Sequence, residues 1–355
     1  MKKQIKRILA GVLAVATLFL ATPISNISTN PLDLKSAYTV SAETYGDLTY
    51  KIVDGKVYIT ACDKTATEVV IPSKINGLPV TSIESGAFKK CNNLTSVIIP
   101  NTVKYINHSA FLYCNSLTSI TIPSSVTGIT YMTFGKCESL TSITVDKNNQ
   151  YFCDIDGVLF SKDKKTLVAY PAGKPSDKYI VPDFVIDIFD CAFEGSLNLT
   201  EVVLPNSIKR IEMCTFYDCI NLTKITIPNS VTQIKNYSFT GCNNLTSVVI
   251  PSSVKTIEDE AFFSKYLKTI YGYTGSTAEA YANKKKITFI PLDKEFKTGD
   301  LNGDGILNSA DIVILKQAIS GNQKLFPNQA KAADINKDGK IDAFDLISLK
   351  SMITK

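Results

Sequence analysis

Residues Ile98–Thr144 read "IIPNTVKYINHSAFLYCNSLTSITIPSSVTGITYMTFGKCESLTSIT", and the fold turns on seeing that this is one phrase written twice. Pro100 and Pro123 open the copies 23 residues apart, and Pro182, Pro205, Pro228 and Pro251 keep the same interval further on. From each proline the apolar positions recur at fixed offsets. Val103, Val126, Val185, Ile208, Val231 and Val254 lie three residues on, and Ile106, Ile129, Ile188, Ile211, Ile234 and Ile257 lie six on. Phe111, Phe134, Phe193, Phe216, Phe239 and Phe262 follow at eleven, then Leu117, Leu140, Leu199, Leu222 and Leu245. An earlier copy places Val80, Ile83, Phe88 and Leu94 in the same way. One such unit cannot bury its own apolar side, so the copies must stack and share a core of Ile, Phe and Leu columns. Alternation within "LTSITIP" turns Ile120 and Ile122 inward and Ser119 and Thr121 outward. That pattern predicts parallel strands forming a long, shallow sheet.

The array is expected to run over 78–272, with one break. Pro123 to Pro182 spans 59 residues, one repeat plus 36. The surplus, 146–181, holds two apolar runs, Val158–Phe160 and Leu167–Tyr170, around a charged "SKDKK" turn, and reads as a β-hairpin budding from the stack. Residues 43–77 read as an N-terminal hairpin cap that turns at Asp54-Gly55. "GSTAEAYANKKK", within a C-terminal cap at 273–290, begins like a Ser/Thr-capped helix, and 291–297 reads as a linker.

The first residues follow another logic. "MKKQIKRILAGVLAVATLFLA" sets four basic residues ahead of an apolar run from Ile8 to Ala21, the pattern of a secretory signal peptide. Val40 and Ala42 frame a cleavage site, which makes 1–42 the leader. The alternative, a retained membrane anchor, is opposed by length: 14 apolar residues fall short of the about 20 a span needs. Loss of the leader lowers the formal charge from +5 to about +1, leaving no basic surplus for nucleic acid or anionic lipid. The expected location is extracellular, with attachment to a cell surface or an assembly supplied by a scaffold.

Nine cysteines in an exported chain raise the question of disulfides. Cys91, Cys114, Cys137, Cys219 and Cys242 share one repeat column, and Cys191 and Cys214 another. Small, soft side chains pack well at such core positions, and parallel side-chain directions oppose bonds between coils, so free buried thiols are expected. The single histidine, His108, falls at a variable repeat position and reads as a surface turn residue. No Ser/His or Cys/His arrangement is therefore available. A glycosidase-type carboxylate pair could still come from Asp154, Asp156, Asp187 and Asp190, although Asp156-Gly157 reads as a turn.

The tail is of a different kind. "DLNGDGILNSAD" at Asp300–Asp311 is rewritten as "DINKDGKIDAFD" at Asp334–Asp345. Calcium takes about six to eight oxygen ligands, and a twelve-residue loop supplies them from positions 1, 3, 5, 7, 9 and 12 with glycine at 6. The first loop offers Asp300, Asn302, Asp304, the Ile306 carbonyl, Asn308 and Asp311, with Gly305 at the turn. The second offers Asp334, Asn336, Asp338, the Lys340 carbonyl, Asp342 and Asp345, with Gly339 at the turn. Each loop runs into a helical pattern, with Ile312, Leu315 and Ile319 on one face and Leu346, Leu349 and Ile353 on the other copy's face. Two Ca2+ ions are expected, with folding of the tail coupled to their uptake.

The repeats resemble the BspA-like bacterial leucine-rich repeats, close to I-P-x-x-V-x-x-I with Phe, Cys and Leu downstream. The loop-helix pair at 298–355 resembles a type I dockerin. Together the resemblances imply an α/β-type leucine-rich-repeat solenoid, β-rich with 23-residue repeats, followed by a small all-α calcium-binding dockerin domain. A dockerin implies a cohesin module on a scaffolding protein as partner, in a cellulosome-type assembly. The positions that the resemblance assigns to that contact are Ser309, Ala310, Lys316 and Gln317 in one half, and Ala343, Phe344, Lys350 and Ser351 in the other. Phe344 reads equally as an interface anchor or as a core residue between the helices. The chain is thus expected to be a non-catalytic adaptor whose repeats bind a protein or cell-surface ligand. The alternative is a polysaccharide-active hydrolase or a carbohydrate-binding component of the same assembly.

Overall fold

The computed structural model describes residues 42–322 and 324–354. The expected leader, apart from Ala42, lies outside the described residues. Among those described, no helix is long and apolar enough to cross a membrane.

The repeats form a β-solenoid, and each proline has a visible job. Pro cannot donate to a ladder, so it ends the strand before it. Its carbonyl then accepts the N–H three residues on: Pro100 from Val103 at 3.2 Å, Pro123 from Val126 at 3.2 Å, Pro228 from Val231 at 3.1 Å. This turn drives the valine column into the core, where Val103, Val126, Val185 and Val231 are fully buried. The strand Ser119–Ile122 alternates as expected, with Ile120 and Ile122 buried and Ser119 and Thr121 exposed. It pairs in parallel, in register, with Ser142–Val145.

The single long sheet is not what forms. Parallel ladders break into short blocks of two to four strands. A second ladder also runs along the stack, built from strands of two residues such as Tyr105–Ile106 and Gly128–Ile129. Such strands are too short to alternate, so no period-2 signal announces them.

The phenylalanine column is the spine of the core. Phe88, Phe111 and Phe134 stack with ring centroids 4.9 and 5.9 Å apart, and Phe193, Phe216, Phe239 and Phe262 at 5.1, 5.3 and 4.8 Å. Between the two runs Tyr170 takes a phenylalanine's place, its ring 5.1 Å from Phe193. The cysteine column is equally regular and its thiols are free. Cys114, Cys137, Cys219 and Cys242 each donate S–H to the Phe carbonyl of the coil before, at 3.0 to 3.1 Å.

The expected hairpin in the insert forms, Val158–Ser161 against Thr166–Ala169, but it does not bud from the stack. Three antiparallel strands form, Phe152–Ile155, Val158–Ser161 and Thr166–Ala169, and the third rejoins the stack by pairing in parallel with Asp187–Ile188. Val158, Phe160 and Leu167 pack into one core block, while Leu159 and Val168 pack into the other. A strand buried on both faces needs an unbroken apolar run, which is what "VLF" and "LVA" supply. The insert is a partition wall inside the solenoid.

At the N-terminal end, Leu48–Val53 and Lys56–Cys62 pair across a turn in which Asp54 and Gly55 both take positive φ. An additional strand, Glu43–Tyr45, lies outside them. At the other end helix α1, Thr277–Lys285, starts at Ser276, whose side chain accepts from Glu279 N. Tyr281 of α1 closes the aromatic spine against Phe262. The tail contains α2, Ser309–Ile319, the short α3, Pro327–Ala333, and α4, Ala343–Ile353. Its small core joins Leu301, Leu315, Ala332, Ala333 and Leu349. Ile319, expected on the core face, is exposed. The expected linker is not free either, since Pro291 belongs to the last strand and both Pro291 and Lys294 are hydrogen-bonded by α3.

Candidate functional site: the doubled acidic loops and the helix faces beside them

In the first loop Asp300 at position 1 accepts from Gly303 N at 2.8 Å and from Gly305 N at 2.9 Å, which curls the chain around its carboxylate. Asn302 and Asp304 bond to each other, Asn302 Nδ2 donating to Asp304 Oδ2 at 2.7 Å. Asp311 at position 12 is fully buried. One of its oxygens accepts from Leu301 N and Asn302 N, and the other from Asn308 N. Asn308 caps α2 by accepting from Ala310 N.

The second loop repeats these bonds. Asp334 accepts from Asp338 N and Gly339 N, both at 3.1 Å, Asp345 from Ile335 N and Asp342 N, and Asp342 from Phe344 N. Gly305 and Gly339 share φ +82°, the left-handed turn that the loop needs at position 6. The Ile306 and Lys340 backbones follow directly, at position 7 of their loops.

Among the described residues, no three Asp, Glu, His or Cys side chains are gathered at metal-binding range. The loop carboxylates accept from backbone N–H groups, those of Asp304 and Asp338, both exposed, from Ile306 N and Lys340 N. The donor set itself suits a hard cation. It is all oxygen, it is charged, and oxygens carrying one N–H bond keep a second lone pair.

Each loop delivers a helix whose outer face is exposed. Ser309, Ala310, Lys316 and Gln317 are exposed on α2, and Ala343, Phe344, Lys350 and Ser351 on α4. Phe344 is 67 % exposed, which removes it from the helix–helix core and leaves its ring at the surface. Two further apolar residues share these faces: Val313 at 52 % and Ile347 at 63 % exposure. The helical spacing in the sequence places Ile312, Leu315 and Ile319, and Leu346, Leu349 and Ile353, on the apolar faces and leaves these two unassigned.

Three of the four carboxylates weighed as a catalytic pair have other partners. Asp154 accepts from Val145 N at 2.8 Å, Asp156 pairs with Lys174 at 3.0 Å, and Asp190 accepts from Met213 N at 3.1 Å. Burial and the nearby Glu212 push the Asp187 and Asp190 carboxyls up. His108 is half-buried in a turn, its ring 4.4 Å from Tyr131 and its Nδ1 3.2 Å from the Tyr131 carbonyl.

A parallel solenoid of 23-residue coils, joined to a doubled acidic-loop module, defines a modular repeat protein. The chain belongs to the BspA type leucine rich repeat family, which matches in six copies over residues 61–165 and 173–295. Residues 298–354 match the dockerin type I domain. No curated protein matches the chain. Among solved structures it is similar to the pneumococcal vaccine antigen PcpA, at 21 % identity over 66 % of this chain and 82 % of that one, with a TM-score of 0.46. It is also similar to a leucine rich cell surface protein of Faecalibacterium prausnitzii A2-165, at 21 % identity over 71 % and 94 % of the chains, with a TM-score of 0.48. A T. pallidum leucine rich repeat protein is similar at 25 % identity over 58 % and 91 %, with a TM-score of 0.39.

Proposed function

We propose that the chain is a secreted, non-catalytic adaptor. Its tail takes up two Ca2+ ions and docks on a cohesin module of a scaffolding protein, while the solenoid binds a protein or cell-surface ligand within a polysaccharide-degrading complex. The observation that carries this reading is the doubled acidic loop, each copy leading into an exposed apolar helix face. The ions would be held by Asp300, Asn302, Asp304, the Ile306 carbonyl, Asn308 and Asp311 in one loop, and by Asp334, Asn336, Asp338, the Lys340 carbonyl, Asp342 and Asp345 in the other. Bound calcium neutralises carboxylates that otherwise repel one another. The chain's own part is to hold those oxygens by backbone N–H bonds and to present α2 and α4.

The two faces are not equivalent. Ala310, Val313 and Gln317 on α2 correspond to Phe344, Ile347 and Ser351 on α4, so the α4 face offers more apolar area and a large aromatic anchor of the kind that dominates interfaces. The α4 orientation should therefore be preferred. Calorimetry of the full chain against a cohesin, with calcium and with excess chelator, tests the reading. Binding should vanish in chelator, and Phe344→Ala should weaken it more than Ala310→Ser. Equal affinity in chelator overturns the proposal.

A further inference from the structure

Resting on the calcium reading above, we propose that filling the two loops and seating the tail domain on the end of the solenoid are one coupled equilibrium, with α3 as the strut between them. Each part of this short helix faces a different module. At its start, Phe326 lies with its ring 4.7 Å from Tyr271, which belongs to the solenoid strand Thr269–Gly272. Asn328 then donates to two carbonyls, that of Pro291 at the end of the last strand at 3.1 Å and that of Lys294 just beyond it at 3.0 Å. An exposed ion pair, Lys331 with Glu295 at 2.9 Å, adds little.

In the middle of α3 the contacts change partner. Gln329 is fully buried and donates Nε2 to the Leu301 carbonyl, at position 2 of the first loop, at 2.9 Å. The Ala332 carbonyl accepts from Gly299 N, one residue before that loop, at 2.9 Å. The helix ends on Asp334, which is position 1 of the second loop. Phe296, from the segment between solenoid and tail, lies against Gly303 inside the first loop; a Cβ on Gly303 would sit 2.7 Å from its ring.

The solenoid end, the connecting segment and both loops therefore share one packed unit. Ordering the loops orders α3, and ordered α3 is what grips Pro291 and Lys294. Linkage makes the effect reciprocal: whatever factor calcium adds to seating, seating adds to calcium affinity. Tyr271 lies in a solenoid strand, outside both the tail and the proposed ligand set, so it can alter calcium affinity only through this coupling.

The test uses the full chain. Calcium uptake is measured by titration calorimetry in the wild type, Asn328→Ala and Tyr271→Ala, the last of which lies in the solenoid and removes nothing from the tail's own core. Hydrogen exchange of the strand at 288–291 is followed in calcium and in EDTA. Both variants should bind calcium at least roughly fivefold more weakly, and the amides of Thr288, Phe289 and Ile290 should lose protection in EDTA while those at 119–122 keep theirs. Unchanged affinity in both variants, or protection at 288–290 that ignores EDTA, overturns the coupling alone. A wild type that takes up no calcium overturns the calcium reading and the coupling together.

Discussion

Replacing Glu194 by glutamine should make the solenoid more stable at pH 8 and leave it unchanged at pH 4. Glu194 stands in the coil after the insert, is 4 % exposed, and its Oε2 has no hydrogen-bond partner. The nearest cation is engaged elsewhere: Lys136 reaches across Gly195 to Asp218, Nζ to Oδ2 at 2.5 Å. Burial raises the Glu194 carboxyl from 4.5 to about 7, with Lys136 and Lys89 pulling it down and Asp218 pushing it up. Between these two values the folded chain holds a proton that the unfolded chain has released, so stability is full below pH 4.5 and falls as pH rises to about 7. That shift corresponds to about 3 kcal/mol. Urea denaturation in calcium buffer, run from pH 4 to pH 8 on both proteins, isolates the effect, because every other titrating group is common to the two. The wild type should lose about 3 kcal/mol relative to Glu194→Gln across that range. Parallel pH profiles would refute the argument.

Four further outcomes follow from the same packing. Phe216→Ala opens a gap between two stacked rings and should cost about 3–5 kcal/mol by urea denaturation. Gly241→Ala forces a Cβ at φ +78° into Asp218 Oδ1, which should cost about 1–3 kcal/mol and release Lys136, whereas alanine at Gly305 meets no atom and carries only the strain of φ +82°. Asp311→Ala strips the acceptor from three backbone N–H groups, and the tail should then fail to gain calcium-dependent helicity by circular dichroism. Burial pushes the Cys219 thiol up to about 12, so a thiol reagent at pH 8 should modify half-buried Cys153 in the native chain and reach Cys219 only in denaturant.

Periodicity makes most of this molecule legible in its sequence. A coil contacts only its neighbours, so a residue's place in the phrase dictates its place in the stack, and the Val, Ile, Phe, Leu and Cys columns lie where their offsets put them. The acidic loops were equally legible, because their geometry is local: position 1 curls the chain and glycine at 6 lets it turn. Departures from the period needed the tertiary structure. The insert's strands carry one hydrophobic run for two cores, and which core each residue meets depends on the coils on either side. Phe344, Val313 and Ile347 are apolar like their buried neighbours, and only helix rotation against the tail's small core turns them outward. The grip of α3 on Pro291 and Lys294 joins segments more than thirty residues apart through backbone carbonyls, groups that every residue possesses and no sequence pattern can mark.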